Sequence, residues 1–132
     1  MTFLMVGLCS MSGYIDDDYC SGSILVFNLG ALSPTNNTPV ELKRYEIIKT
    51  ETVIMQMDIM MTEGKEFLVV AKATRFLSSS AAAVSLFDLM SFRESKEFNV
   101  TNYVSTLTVV KNCILVGDIN YGMHFLQYKV SE

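Results

Sequence analysis

The sequence has no tryptophan, two prolines and a single histidine among its 132 residues. Both prolines fall in Ser33-Pro34-Thr35-Asn36-Asn37-Thr38-Pro39, which reads as a long surface loop and not as a domain boundary. His124 is the only imidazole available to a Ser–His or Cys–His pair. Such a pair also needs an orienting group and an oxyanion site, and the sequence supplies no candidate for either. The chain is therefore expected to be non-catalytic. Cysteine is scarce as well: Cys9, Cys20 and Cys113 form no CxxC pair, which argues against structural zinc. They read as free thiols of a reducing compartment, and no metal or cofactor is expected.

Charge is also sparse, at 18% of residues, with a net charge of −4. The densest basic pair is Lys43-Arg44. A nucleic-acid surface would carry a clustered basic stripe, so direct binding of RNA or DNA is not expected. No apolar run reaches the ~18–20 residues of a membrane helix. Met1–Leu8 is apolar but lacks the basic start and small-residue cleavage site of a secretory leader. The sequons at Asn36 and Asn99 then carry no weight.

What remains is an apolar chain. Half its residues are hydrophobic and its mean hydropathy is +0.32, which excludes a disordered tail. The length suits one domain burying roughly two thirds of its unfolded surface. So little charge implies that a partner or further chain covers part of the apolar surface.

The hydrophobic pattern has the period of strands, predicted over residues 3–9, 23–29, 40–49, 52–60, 66–73, 82–89, 96–100, 103–110, 113–118 and 123–130. No segment has the period of a helix. Val53, Met55, Met57, Ile59 and Met61 are expected on one face of a strand, with Gln56 and Asp58 opposite. Val109-Val110 and Ile114–Val116 flank Lys111-Asn112, where a hairpin should turn.

These strands repeat. Phe3-Leu4-Met5-Val6-Gly7, Phe67-Leu68-Val69-Val70-Ala71 and Cys113-Ile114-Leu115-Val116-Gly117 are three copies of one short buried strand. Each is followed by a second apolar strand, at residues 23–27, 83–87 and 124–128. A further strand precedes the second and third copies, and a more polar one follows the first two. Repeated four-stranded units of this kind fit β-propeller blades. The expected fold is thus all-β, with residues 1–132 a single segment of a partial propeller of two to three antiparallel blades.

The stretch from Tyr103 to Ile119, with Val109-Val110-Lys111-Asn112-Cys113-Ile114-Leu115-Val116-Gly117-Asp118 at its centre, followed by Phe125-Leu126-Gln127-Tyr128-Lys129, resembles the C-terminal region of the CPSF-A family. Met5-Val6-Gly7 and Gly22-Ser23-Ile24-Leu25-Val26-Phe27 are similar to the family's "VGT…GRILVF" pattern, with Ser23 where a basic residue is usual. The family comprises large multi-propeller scaffolds of cleavage and polyadenylation, damaged-DNA binding and splicing, and the likeness here is strongest to the polyadenylation branch. It implies a nuclear, non-catalytic scaffold for pre-mRNA 3′-end processing. Partners would be other subunits of that complex, RNA would be contacted through them, and open strand edges would favour self-association. A damaged-DNA-binding-type ubiquitin-ligase adaptor and a stand-alone β binding module are the alternatives. The family motif falls on Gly7, Gly22, Gly117, Asp118 and Tyr128, read as structural: glycine relieves crowding, and an Asp carboxylate accepts backbone N–H groups in an Asx turn.

Three other features have sharper and plainer readings. Asp16-Asp17-Asp18 lacks the spacing of a calcium loop and reads as a solvated loop. The clustered Met55, Met57, Met60 and Met61 read as core filling before they read as an adaptable binding face. Ser78–Ala83 reads as a loop between strands.

Overall fold

The computed structural model describes residues 3–11, 20–29, 44–50, 52–73, 82–120 and 122–129. The regular structure among them is entirely β, in ten strands: β1 (Phe3–Met11), β2 (Cys20–Asn28), β3 (Arg44–Lys49), β4 (Val53–Thr62), β5 (Lys65–Ala73), β6 (Ala82–Asp88), β7 (Arg93–Val100), β8 (Val104–Val110), β9 (Cys113–Asp118) and β10 (Met123–Gln127). Every predicted strand has its counterpart. The expected acidic and Pro-containing loops at residues 16–18 and 33–39, the start of the third strand at 40–43, and residues 78–81 lie outside the described residues. Ala82 and Ala83, read with the small-residue loop, begin β6 and are buried.

Consecutive strands pair antiparallel into three sheets, ordered β1-β2-β3, β4-β5-β6-β7 and β8-β9-β10. The middle sheet is covered on both faces. Leu68, Val70 and Phe87 pack with Ile24, Val26 and Ile48 of the first sheet. Phe67, Val69, Val84 and Leu86 pack with Val104, Ile114 and Val116 of the third. This double burial explains the apolar run Phe67–Ala71 of β5 and the apolar residues on either side of Ser85 in β6, because side chains on both faces of a strand leave water. β9 has only one covered face, and its burial alternates residue by residue. Full burial of each such side chain stabilises by about 1.5–3 kcal/mol.

Short turns fix the registers. Glu63 and Gly64 both have positive φ, at 50° and 75°, between the paired residues Thr62 and Lys65. That is the pattern of a two-residue type I′ hairpin, whose twist matches its strands. The predicted turn at Lys111-Asn112 is present, with Val110 opposite Cys113.

The face assigned to β4 needs correction. The register shifts between Ile54 and Gln56, leaving Met55 as the extra residue of a bulge. Ile54 and Met57 therefore reach the same core, against the first sheet, although their spacing in an unbroken strand would separate them. Met60, on the face predicted to be polar, is fully buried towards the third sheet. Met55 and Met61 are exposed, Met61 at 67%. Core filling thus describes Met60 and in part Met57, and not the cluster as a whole.

Candidate functional site

The motif residues do not converge on one place. Gly7 lies where β1 crosses β4, and a Cβ there would meet Ile54 and Met57. Gly22 is buried in β2 beside the Thr50 side chain and the Thr52 backbone, where a Cβ would overlap the Thr52 carbonyl oxygen. Gly117 meets the methyl of Thr106 within its own sheet. Crowding between sheets therefore accounts for Gly7, whereas at Gly117 the close neighbour is the adjacent strand.

Asp118 and Tyr128 flank the third sheet's outer hairpin and have specific partners. The Asp118 side chain is only 3% exposed. Its Oδ1 accepts the N–H groups of Asn120 and Gly122, both at 2.8 Å. Oδ2 accepts from Asn102 Nδ2 at 3.4 Å and lies 3.2 Å from His124 Nε2. The expected Asx-type turn is thus present, and His124, read from sequence only as a packed or surface strand residue, is its fourth partner. The hydrogen bond from Gly122 leads the effects that hold the Asp118 carboxyl below the usual carboxylate range, against the opposing desolvation. Four donors occupy the roughly four lone-pair sites of a carboxylate. The group is thereby committed to the turn. A Cβ on Gly122 would collide with the same carboxylate, so that position requires glycine while Asp118 keeps its place.

Tyr128 follows β10. Its N–H donates to the Asn112 carbonyl at 2.8 Å, and its own carbonyl accepts from Asn112 Nδ2 at 3.1 Å. Its ring packs on Phe67 with centroids 5.1 Å apart, and Lys96 Nζ sits 5.0 Å above the ring. Tyr128 thereby joins all three of β5, β7 and the β8–β9 turn. Beside it, an open groove of about 490 Å³ runs between β7 and β10, with Val84, Leu86 and Ile114 among its lining residues and Phe98 and Leu126 at its walls.

One polar cluster was not anticipated. Lys72 is buried in β5 on the face turned to the first sheet, with Nζ 2.8 Å from Glu97 Oε2 and 3.5 Å from Glu94 Oε1. The fully buried Ser85 donates to Glu94 at 3.0 Å. Lys72, through its hydrogen bond, is the leading cause that lowers the Glu97 pKa. The signal in the sequence was the lone Lys72 between Ala71 and Ala73 at the end of an apolar strand, which demands a paired acid if buried.

Among the described residues no group of three or more His, Cys, Asp or Glu side chains is placed to hold a metal ion, and no helix is long and apolar enough to cross a membrane. Cys113 is a half-buried free thiol. Comparison with protein-family models, curated proteins and solved structures finds no match to this chain.

Proposed function

We propose that the chain is part of a β-propeller and acts as a non-catalytic scaffold segment in the large subunit of a cleavage and polyadenylation specificity factor. In this reading its three sheets are successive blades, and it works in the nucleus during pre-mRNA 3′-end processing through protein–protein contacts. RNA would be held by partner subunits, in keeping with the net charge of −4. The observation that supports the blade reading best is the repeated order of antiparallel strands: β8-β9-β10 follows the sequence of β4-β5-β6, and the middle sheet is buried between its neighbours. The commitment of every Asp118 lone pair to its own turn supports a structural role for the Gly117-Asp118 motif.

Affinity purification of the tagged chain from nuclear extract tests the assignment. Enrichment of the endonuclease and poly(A) polymerase subunits over cullin-type ubiquitin-ligase subunits is the expected result. The reverse enrichment would favour the damaged-DNA-binding alternative, and enrichment of neither would overturn the scaffold assignment.

A further inference from the structure

We propose that Lys72 is a register lock for β7. With Ser85 it selects the one alignment of that strand in which Glu94 and Glu97 share a face, and it holds the bulge at Ser95 that this alignment requires. The lock lies within the middle sheet and does not rest on the polyadenylation assignment.

β7 carries little register information of its own. Residues 93–99 are all exposed, and only Val100 at the far end is buried. Register is strongly specified where one face of a strand is buried, and weakly where both faces are polar. Arg93-Glu94-Ser95-Lys96-Glu97 has no apolar side chain, so hydrophobic alternation does not distinguish its two faces. The pairing is irregular in a particular way. Glu97 lies opposite Ser85 and Lys96 opposite Leu86, but Glu94 lies opposite Phe87, which leaves Ser95 as the extra residue of a bulge. Residues three apart fall on opposite faces of an unbroken strand. The bulge turns Glu94 onto the face of Glu97, which is the face that Ser85 and Lys72 share.

Charge supplies what the apolar pattern lacks. Lys72 Nζ lies 2.8 Å from Glu97 Oε2 and 3.5 Å from Glu94 Oε1, and the Ser85 hydroxyl donates to Glu94 at 3.0 Å. Lys72 and Ser85 are buried, so their partners must come from β7. On the opposite face Lys96 Nζ sits 5.0 Å above the Tyr128 ring. Two competing alignments are thereby disfavoured. Drawing one residue into the turn would set Ser95 opposite Phe87 and remove the bulge. It would also take Glu94 from Lys72 and place it opposite Asp88, where Arg93 now pairs with that acid, and like charges directly opposite are destabilising. Sliding all of β7 by one residue exchanges its faces. Lys96 would then join Lys72, and Glu97 would meet the negative face of the Tyr128 ring.

The turn pulls against the lock. Residues 89–92 connect the paired Asp88 and Arg93, and Phe92 has a φ of 57°, which a bulky residue keeps only where its surroundings impose it. The first competing alignment gives this turn a fifth residue and is the nearest rival once the charges are removed. Fixing a register is the best-attested use of a buried ionic group that is costly to maintain.

NMR of the whole 132-residue chain reads the register from proton contacts between β6 and β7. The parent should give one set of signals, with Glu94 opposite Phe87. Lys72→Met keeps the bulk and removes the charge. It should split the signals of residues 89–97 into two sets, the second populated at about 10% or more and with Ser95 opposite Phe87. Lys72→Arg, which keeps the charge, should give a single set. Deleting Ser95 in the Lys72→Met chain should also restore a single set, because Glu94 and Glu97 then stand two apart and share a face without a bulge. Glu94→Gln weakens the lock from an exposed position and relieves the clash with Asp88, so it should split the same signals even if Lys72→Met fails to fold. One set of signals in the parent alignment for every folded variant would overturn the proposal, whatever their unfolding midpoints, because a cluster that only stabilises leaves the alignment alone. Two sets in the parent, splitting that spreads through β4, β5 and β8, or splitting that survives the deletion of Ser95 would overturn it as well.

Discussion

The Asp58 carboxylate of β4 accepts a hydrogen bond from the Val109 N–H of β8 at 3.1 Å. Val109 lies one residue before the pair closing the β8–β9 hairpin, so its N–H points away from β9. A side chain of the middle sheet thereby satisfies a backbone donor on the edge of the third. Its other oxygen accepts the Ile59 N–H at 2.7 Å. Asp58→Ala should destabilise the fold by about 1–2 kcal/mol by leaving that donor without its partner. Asp58→Asn, which keeps a carbonyl acceptor, should cost less. Urea unfolding of the two variants in parallel measures the difference.

Acid should loosen the Asp118 turn. The folded-state carboxyl is held below its ordinary value of about 3.9, so the unfolded chain takes up its proton first as pH falls. The stabilisation is complete above roughly pH 5 and is lost progressively as pH drops through the folded pKa. Asp118→Asn should lower stability at neutral pH and flatten the acid limb of the stability profile. Thermal melts between pH 3 and 7 compare the two; an unchanged acid limb would remove the linkage.

Lys72 and its two acids should respond unequally to substitution. Glu94 and Glu97 are partly exposed whereas the lysine is buried. Replacing both acids with glutamine strands the ammonium and should cost about 3–5 kcal/mol. Lys72→Met leaves two carboxylates that water reaches, and should cost markedly less. In that variant the Glu97 pKa should rise towards the ordinary carboxylate value, which an NMR titration reads directly.

Gly22→Ala should be among the most damaging small substitutions, because its Cβ overlaps a backbone carbonyl that cannot rotate away. Overpacking of this kind costs about 1–3 kcal/mol. Gly117→Ala meets only a threonine methyl at 2.7 Å, which a change of rotamer can relieve, and should cost less. Denaturant midpoints for the pair provide the measurement.

The ten strands were legible because their signal is covalent in origin: side chains alternate across an extended backbone whatever surrounds it. The apolar run of β5 announced a buried strand, although the equally apolar run of β9 is covered on one face only, and Gly117-Asp118 announced its turn. The face of β4 was not legible. The bulge at Met55 shifts its register, so a pattern counted without that extra residue separated Ile54 from Met57, and the alternation carried no sign that the third sheet covers the face of Asp58 and Met60. His124 was recognised as a strand residue but not as the partner of Asp118, since the hairpin brings them together across the sheet.

The sequence by itself determined where the chain is extended, where it turns, and that the β-repeat recurs. Those properties follow from local periodicity and turn chemistry. Only the tertiary structure decided which neighbour each face meets: Met60 against the third sheet, Lys72 against Glu94 and Glu97, and Asp58 against a backbone donor of another sheet. Such contacts join residues far apart in the chain, and their geometry is set by how the sheets stack, which strand periodicity does not encode.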